Sequence, residues 1–169
     1  MTALVVYGSL MAKAEISALG LNPEMAIPVI VQGYQRIFAQ EPSWRKGVGN
    51  ERAVLTVVRS PQAEANQLPS FSGILLPDIS AEIIKELDVR ERGYNREHIE
   101  ESKISPFEIE VTWKATSAQI YVGKPHLFNK DIVPNSQYQK RCLDASLEWG
   151  SAFYQSFLNT TQKLQIIPS

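Results

Sequence analysis

The chain has 169 residues, of which 44% are hydrophobic and 21% charged, and its formal net charge is −1. These values are typical of one globular domain that buries its own core, so we expect a single domain over residues 1–169. The near-neutral charge argues against a nucleic-acid partner, because such binding needs clustered Lys and Arg. The local basic cluster Arg45, Lys46 and Arg52 is thin and flanked by Glu41 and Glu51.

The cysteine content and the N-terminal residues indicate a compartment. Cys142 is the single cysteine, which excludes an internal disulfide. The first residues lead directly into a strand-like run, without the basic segment and cleavage site of a secretion signal. No apolar run reaches the length of a membrane span. We therefore expect a cytoplasmic protein with no membrane partner.

The N-terminal apolar run at residues 3–7 predicts a buried strand, and residues 11–19 predict a short helix that ends at Gly20. Tyr7-Gly8-Ser9-Leu10, called the N-terminal turn below, would then connect a strand to a helix. Free N–H groups and the following helix dipole would suit a carboxylate or a phosphate there. Shape alone, however, favours a plain connection.

The middle of the chain alternates in the manner of strands. A run at residues 29–39 is interrupted by Gly33, which predicts a bulge or a sharp bend. Further strands are predicted at residues 53–59, 71–76 and 94–99, around 109–111 and at 120–122, with loops at 40–51, 60–70 and 125–135. One helix is predicted from the cap Ser80 to about Arg90.

From Ser136 the pattern becomes helical, with a capping-box spacing to Gln139 and a point at Gly150 where the helix is either split or weakened. Apolar residues recur at steps of three and four, which is typical of core packing: Tyr138, Cys142, Ala145, Trp149, Phe153 and Phe157. Five to seven strands and two or three helices predict an α+β fold, with a mixed sheet curled toward a barrel by its interior glycines.

Most familiar catalytic patterns are missing. The two histidines are His98 and His126, and His98 would face the opposite side of a strand from Glu101, so neither a metal nor a cofactor is predicted. Carboxylates remain, and Glu91 stands out at the end of the predicted middle helix. The helix dipole and burial would raise the pKa of Glu91, whereas Arg90 and Arg92 would lower it. A raised pKa suits a general base.

The segment around Glu91 has a plainer interpretation as a helix end with solvated charges before a Gly stop. Together with the N-terminal turn, however, the motif Leu87-Asp88-x-x-Glu91-x-Gly93-Tyr94-x-Arg96 resembles the γ-glutamylcyclotransferase-like family. Further pieces fall in the expected order, and it is their joint order and spacing that make the resemblance specific: Gly33-Tyr34-Gln35-Arg36, Gly73-Ile74-Leu75, Ile120-Tyr121-Val122 and the C-terminal series from Tyr138 to Thr161.

The resemblance implies a small β-barrel of about six strands flanked by helices, and an enzyme that converts a γ-glutamyl amide to 5-oxoproline and a free amine without a cofactor. If the site residues of the family are transferred to the matching positions of this sequence, the backbone of Tyr7, Gly8, Ser9 and Leu10 holds the ends of the glutamyl unit. Glu91 is the catalytic base and acid, and Tyr94 and Tyr121 are candidates for closing the pocket.

Two points stay open at this stage. Met11-Ala12-Lys13 replaces a bulkier aromatic segment of some relatives, so the side of the pocket that receives the leaving amine is undetermined, and glutathione, γ-glutamyl amino acids, γ-glutamyl-lysine-type amines and protected natural products are all candidate substrates. The alternatives to a cyclotransferase are a non-catalytic module of the same fold that binds a small carboxylate, and a different hydrolase or transferase built on the same pocket.

Overall fold

A computed structural model of the chain describes residues 2–43, 49–60, 68–114 and 116–165. The predicted basic residues Arg45 and Lys46, most of the predicted loop at 60–70, and Ala115 between the predicted late strands lie outside the described residues. In the described part of the chain, no helix is both long and apolar enough to cross a bilayer.

The described residues form ten strands and four α-helices. The strands are β1 Thr2–Val6, β2 Ile27–Gln32, β3 Tyr34–Gln40, β4 Glu51–Arg59, β5 Ser70–Ile79, β6 Tyr94–Ile99, β7 Ile104–Pro106, β8 Ala118–Gly123, β9 Val133–Pro134 and β10 Thr161–Gln162. The helices are α1 Lys13–Ala18, α2 Ala81–Arg90, α3 Ser136–Leu147 and α4 Ser151–Asn159. Short 3₁₀ turns cover Ser9–Met11, Pro23–Met25, Glu101–Lys103 and Pro125–Leu127.

Two mixed sheets carry the fold. The larger has the strand order β6-β8-β1-β5-β2-β7, and the smaller has the order β10-β3-β4-β9. β1 lies inside the larger sheet, antiparallel to β5 and parallel to β8. The predicted α+β class with a mixed, barrel-like sheet and flanking helices is confirmed. The described residues form ten strands where about six were expected, and β7, β9 and β10 have three residues or fewer.

Glycines separate elements at two predicted points. Gly33 has φ +91° and divides the predicted strand at 29–39 into β2 and β3. Gly150 has φ +107° and splits the C-terminal helical region into α3 and α4. Both φ values lie in the region that only glycine adopts without strain, so the chain reverses or bends there at little cost.

One local prediction was wrong and two were shifted. The predicted short helix at 11–19 is present as α1 and is followed by Gly20 at φ +83°, but a 3₁₀ turn at Ser9–Met11 comes first, so α1 begins at Lys13. No strand includes Ile109, whose side chain is 97% exposed, and β7 lies earlier in the chain instead. The cap of α3 is also shifted by one residue, since the Asn135 side chain accepts from the Tyr138 N–H at 3.0 Å.

The C-terminal apolar stripe packs as predicted. Phe153 and Phe157 of α4 are fully buried, and Cys142 and Ala145 of α3 are buried with them. Trp149 is partly buried and donates its indole N–H to the Met11 carbonyl at 2.9 Å. Burial of each large aromatic side chain contributes roughly 2–3 kcal/mol, so this stripe holds α3 and α4 against the sheet and the N-terminal turn.

Candidate active site

The N-terminal turn leaves the end of β1 inside the larger sheet. Its 3₁₀ hydrogen bond runs from the Met11 N–H to the Gly8 carbonyl at 2.9 Å. Among the described residues, no backbone carbonyl accepts the N–H of Ser9 or of Leu10, as expected for the first turn of a helical segment. The turn therefore presents backbone donors at a position that two neighbouring strands fix.

Gly8 allows α3 to approach this turn closely. A Cβ atom at position 8 would lie 3.0 Å from the Tyr138 hydroxyl and 3.3 Å from a methyl group of Leu55. Tyr138 is buried and belongs to the first turn of α3. Any side chain larger than hydrogen at position 8 would push this tyrosine away from the turn.

Tyr7 is a buried phenol at the start of the turn. Its hydroxyl donates to the Tyr121 carbonyl at 2.5 Å, and its ring packs edge-on against Phe71 at a centroid distance of 5.9 Å. Burial raises the pKa of Tyr7 well above its usual value, and the nearby Tyr94 and Glu91 raise it further. Tyr7 is therefore a neutral hydrogen-bond donor that ties β1 to β8.

Arg36 of β3 lies behind the turn and is fully buried. Its Nη1 donates to the carbonyls of Tyr7 at 3.2 Å and Ser72 at 2.5 Å. Its Nε donates to the Thr161 hydroxyl at 2.7 Å, and its Nη2 donates to the Thr160 hydroxyl at 2.9 Å. One guanidinium thus joins β1, β5 and the end of α4, and it fixes the peptide from which the turn begins.

The acceptors that surround Arg36 in these bonds are neutral carbonyls and hydroxyls. The guanidinium also stacks on Phe157 at 4.1 Å, an arrangement that favours a cation over the ring face. Burial lowers the pKa of Arg36 to about 9, so the group is still charged at neutral pH. Sequence reasoning noted Arg36 only as a piece of the family resemblance and assigned it no role.

Glu91 is the C-terminal cap of α2. Its N–H donates to the Leu87 carbonyl at 2.7 Å, and its carbonyl accepts from the Tyr94 N–H at 2.9 Å. Gly93 follows in a tight position, where a Cβ would lie 3.2 Å from the side chains of Leu127 and Ser43. Glu91 is half-buried. Its charge helps to raise the pKa values of Tyr7 and Tyr121, which places it beside both phenols.

Asp88 and Arg96 form the frame around Glu91. The two side chains make a bidentate pair, with Nε to Oδ1 at 3.0 Å and Nη2 to Oδ2 at 3.1 Å. Asp88 also accepts from the Tyr121 hydroxyl at 2.7 Å, and the hydrogen bond from Arg96 lowers the pKa of the Asp88 carboxyl. The frame joins the end of α2, where Glu91 lies, to β6 and β8.

All of the predicted site residues line one small recess: Tyr7, Gly8, Ser9, Leu10, Glu91, Tyr94 and Tyr121. Tyr138, to which the sequence gave no role in the site, lines it as well. The recess adjoins a larger cavity of about 690 Å³, with which it shares Ser9, Leu10, Glu91, Tyr94 and Tyr138. The structure therefore brings the N-terminal turn and Glu91 together, although 82 residues separate Ser9 from Glu91 in the chain.

Three tyrosines in this site donate their hydroxyl protons to acceptors within the protein. Tyr7 donates to the Tyr121 carbonyl, Tyr121 donates to Asp88, and Tyr94 donates to the Leu55 carbonyl at 2.6 Å. A phenol has one proton to donate. The backbone N–H groups of Ser9 and Leu10 in the N-terminal turn, which no backbone carbonyl accepts among the described residues, are further donors toward the recess.

Metal ligands do not gather anywhere in the ranges that the structure describes. No group of three or more His, Cys, Asp or Glu side chains there has the arrangement of a metal site. His98 is exposed on β6. Glu101 begins a 3₁₀ turn after that strand.

Comparison with known proteins identifies the fold. No family model matches the sequence, and a search of curated proteins gives no match. Among solved structures, a γ-glutamyl cyclotransferase is similar at 17% identity and a TM-score of 0.64, over 99% of this chain and 92% of that one. A yeast γ-glutamyl cyclotransferase specific to glutathione is similar at 15% identity and a TM-score of 0.61, over 98% of this chain and 99% of that one.

YkqA from Bacillus subtilis is similar at 14% identity and a TM-score of 0.64, over 94% of this chain. The match covers 53% of YkqA, so the chain spans about half the length of that protein. The chain therefore has the γ-glutamyl cyclotransferase-like fold, and at these identities the likeness defines the fold alone.

Proposed function

We propose that the protein is a γ-glutamyl cyclotransferase that uses Glu91 as general base and general acid. The observation that carries this proposal is that Glu91 and the N-terminal turn line the same recess. The cyclotransferases among the structural neighbours support the reaction class. The recess offers a carboxylate beside backbone donors, which is what the cyclisation of a γ-glutamyl amide needs.

The reaction begins with the α-amine of the substrate. As an ammonium it has no lone pair, so Glu91 removes one proton. The free amine then attacks the γ-carbonyl carbon, and the new C–N bond closes a five-membered ring. As the original amide C–N bond breaks, Glu91 returns the proton to the departing amine, and the ring nitrogen gives its second proton to the released amine, which leaves as an ammonium. One carboxylate can perform both transfers, and such catalysis typically contributes ~10²–10⁴-fold.

Two further effects act on the same step. The attack is intramolecular, so a recess that folds the glutamyl chain into a near-attack shape removes much of the entropic barrier. The carbonyl oxygen becomes negative in the transition state and needs donors that are already in place. We assign this role to the N–H groups of Ser9 and Leu10 in the N-terminal turn, because these residues line the recess together with Glu91 and no backbone carbonyl among the described residues accepts from them.

The first test is a substrate panel with an assay for 5-oxoproline. The panel contains glutathione, γ-glutamyl amino acids and a γ-glutamyl-lysine-type amine. We expect turnover of at least one member, and a loss of ~10²–10⁴-fold in kcat for Glu91→Gln, because the amide cannot carry the proton. Glu86→Gln is the matched control, since Glu86 is an exposed carboxylate on the same helix and does not line the cavity.

Two results would contradict the proposal. One is the absence of turnover with every member of the panel, and the other is full activity of Glu91→Gln. Binding of a γ-glutamyl compound without turnover, measured by calorimetry, would instead identify a non-catalytic binding module.

A further inference from the structure

Gln40 is a buried amide that the reaction described above does not use. It is the last residue of β3, and its side chain is fully buried. The register between β3 and β4 shifts between Phe38 and Gln40, and such a bulge changes the direction of a side chain. Gln40 is not among the described residues that line the recess or the larger cavity, so it does not contact a ligand there.

The amide of Gln40 binds the segment that carries Glu91. Its Nε2 donates to the carbonyl of Gly93, two residues after Glu91, at 3.0 Å. The same carbonyl accepts the N–H of Lys124, the residue that follows β8, at 2.9 Å. The Glu91 carbonyl accepts the Tyr94 N–H, so the chain between them forms a closed turn, called the Glu91 turn below. Donors from β3 and from the end of β8 therefore hold this turn at one carbonyl.

Gly123 of β8 makes room for the contact. A Cβ atom at position 123 would overlap the amide group of Gln40. The Gly123 N–H donates to the buried Thr56 hydroxyl of β4 at 2.9 Å, which fixes the backbone against which the amide packs. Close packing therefore sets the direction in which the Gln40 amide points.

Stability alone does not account for a glutamine at this position. Among the described residues, the Oε1 of Gln40 is buried and accepts no hydrogen bond. A buried acceptor without a partner costs free energy, so the net stabilisation by this amide is small. The Gly93 carbonyl would keep the Lys124 N–H if an apolar group replaced the amide. An unpaired buried polar atom calls for an explanation, and the contact with the Glu91 turn supplies one.

We propose, resting on the cyclotransferase function above, that Gln40 is a positioning residue for Glu91. By holding the Gly93 carbonyl, it fixes the path of the Glu91 turn, and with it the place of the Glu91 carboxylate opposite the N-terminal turn. A displacement of about 1 Å at a catalytic group lowers the rate by up to about 10²-fold. Because Gln40 touches neither the substrate nor the reacting atoms, its loss acts on kcat and hardly on KM.

Gln40→Met tests this role, because methionine keeps the length of the side chain and removes both the donor and the unpaired acceptor. We expect kcat for 5-oxoproline release to fall about tenfold and KM to change by less than about twofold, because only the placement of Glu91 is affected. The Tm should move by no more than about 3 °C, since one hydrogen bond and one unpaired acceptor are lost together.

Gln139→Met is the matched control. Gln139 of α3 is also buried, but its Nε2 donates to the Gln165 carbonyl and its Oε1 accepts the Gln165 N–H, both at 2.9 Å. Two hydrogen bonds are lost in this variant, so its Tm should fall further than that of Gln40→Met while its kcat stays at the wild-type value. An unchanged kcat in Gln40→Met would overturn the positioning role.

A double variant shows whether Gln40 acts through Glu91. The residual turnover of Glu91→Gln no longer depends on where a carboxylate lies. Adding Gln40→Met to it should therefore lower the rate by less than about twofold, because residues that act as a unit are not additive. A full tenfold further loss would contradict the proposal.

Amide hydrogen exchange tests the contact without turnover and so separates it from the cyclotransferase proposal. In Gln40→Met, the N–H groups of Tyr94 and Lys124, which bond within and onto the Glu91 turn, should exchange about tenfold faster than in wild type. Gln139→Met should leave both rates unchanged.

Gly123→Ala is a second variant for the same measurement. Its added methyl group would displace the Gln40 amide, so it should accelerate the same two amides and carries the test if Gln40→Met does not fold. Unchanged exchange would overturn the role of Gln40 even if 5-oxoproline is formed. Faster exchange in a protein that converts no γ-glutamyl compound would support the contact with the Glu91 turn and count against the cyclotransferase proposal instead.

Discussion

The inner recess and the outer cavity are built from different interactions. The recess rests on buried groups, with Arg36, Tyr7 and Tyr138 all inaccessible to solvent or nearly so. The outer cavity is lined by charged side chains at the surface, and the members of the Arg90–Glu15 pair are 49% and 43% exposed. The part of a substrate held in the recess would meet a fixed surface, whereas the part in the cavity would meet side chains that water screens.

This difference indicates which part of the site can change its selectivity between ligands. Several buried hydrogen bonds hold the residues that line the recess. The geometry of the recess is therefore fixed before a ligand binds, as catalysis requires. Exposed charges contribute little to stability, so their identity is free to vary with the ligand. The contrast predicts that substitutions behind the recess cost folding free energy, while those at the cavity change preference alone.

Replacement of Arg36 should break the recess most severely. Arg36→Met removes the donors of the Tyr7 and Ser72 carbonyls and leaves these buried acceptors unpaired. We expect the free energy of unfolding to fall by about 3 kcal/mol or more, measured by chemical denaturation. Arg59→Met is the control, because Arg59 is an exposed arginine of β4 with one long hydrogen bond, to the Tyr34 hydroxyl at 3.3 Å, and its loss should cost less than about 1 kcal/mol. Similar losses in both variants would contradict the contrast.

Gly8→Ala tests the close approach of α3 to the turn. The added methyl group would lie 3.0 Å from the Tyr138 hydroxyl, so overpacking should cost about 1–3 kcal/mol and displace the turn from Glu91. Thermal unfolding and 5-oxoproline release both report this change. Tyr138→Phe in the same protein removes the clashing oxygen and should restore part of the stability. If the double variant is no better than Gly8→Ala, the clash lies elsewhere.

Asp88→Asn should give the smallest effect, and one that depends on pH. Arg96 holds the pKa of Asp88 below its usual value, so the pair stabilises the folded state above the usual aspartate pKa near 4, and the contribution disappears as pH falls through the lowered pKa. The Asp88 side chain is 41% exposed, so we expect less than about 1 kcal/mol. Denaturation at about pH 6 and about pH 3 should show a larger difference from wild type at the higher pH. A constant difference would rule out the charge as its cause.

The sequence indicated much of the fold because its local signals are strong. Ser80 caps α2 as expected, accepting from the Ile83 N–H at 3.3 Å, and the helix ends at Glu91 before Gly93. The prediction of a strand at Ile109 and Val111 failed because two apolar residues, two positions apart, do not show whether a neighbouring strand is available for pairing. Ile109 is exposed, and the pairing with β2 is made by β7 instead.

The site was only partly predictable for a related reason. The role of Glu91 and the N-terminal turn came from a resemblance, since nothing local shows that the two lie together. Arg36 gave no signal, because its partners are carbonyls and hydroxyls far along the chain rather than an acidic neighbour. Tyr138 fits the helical period of the core stripe, and only the tertiary structure places its hydroxyl beside Gly8.

The position of β1 has a consequence for how the chain folds during synthesis. β1 leaves the ribosome before its partners, because its parallel neighbour β8 supplies a hydrogen-bond acceptor to Tyr7 from 114 residues later, and the Thr161 partner of Arg36 follows 125 residues after it. At about 5–20 residues per second, translation separates these partners by several seconds or more. Contacts so distant in sequence form slowly, and the recess cannot assemble on a nascent chain that stops before α4. A ribosome-bound chain should therefore acquire its protection from proteases late, and nearly in one step.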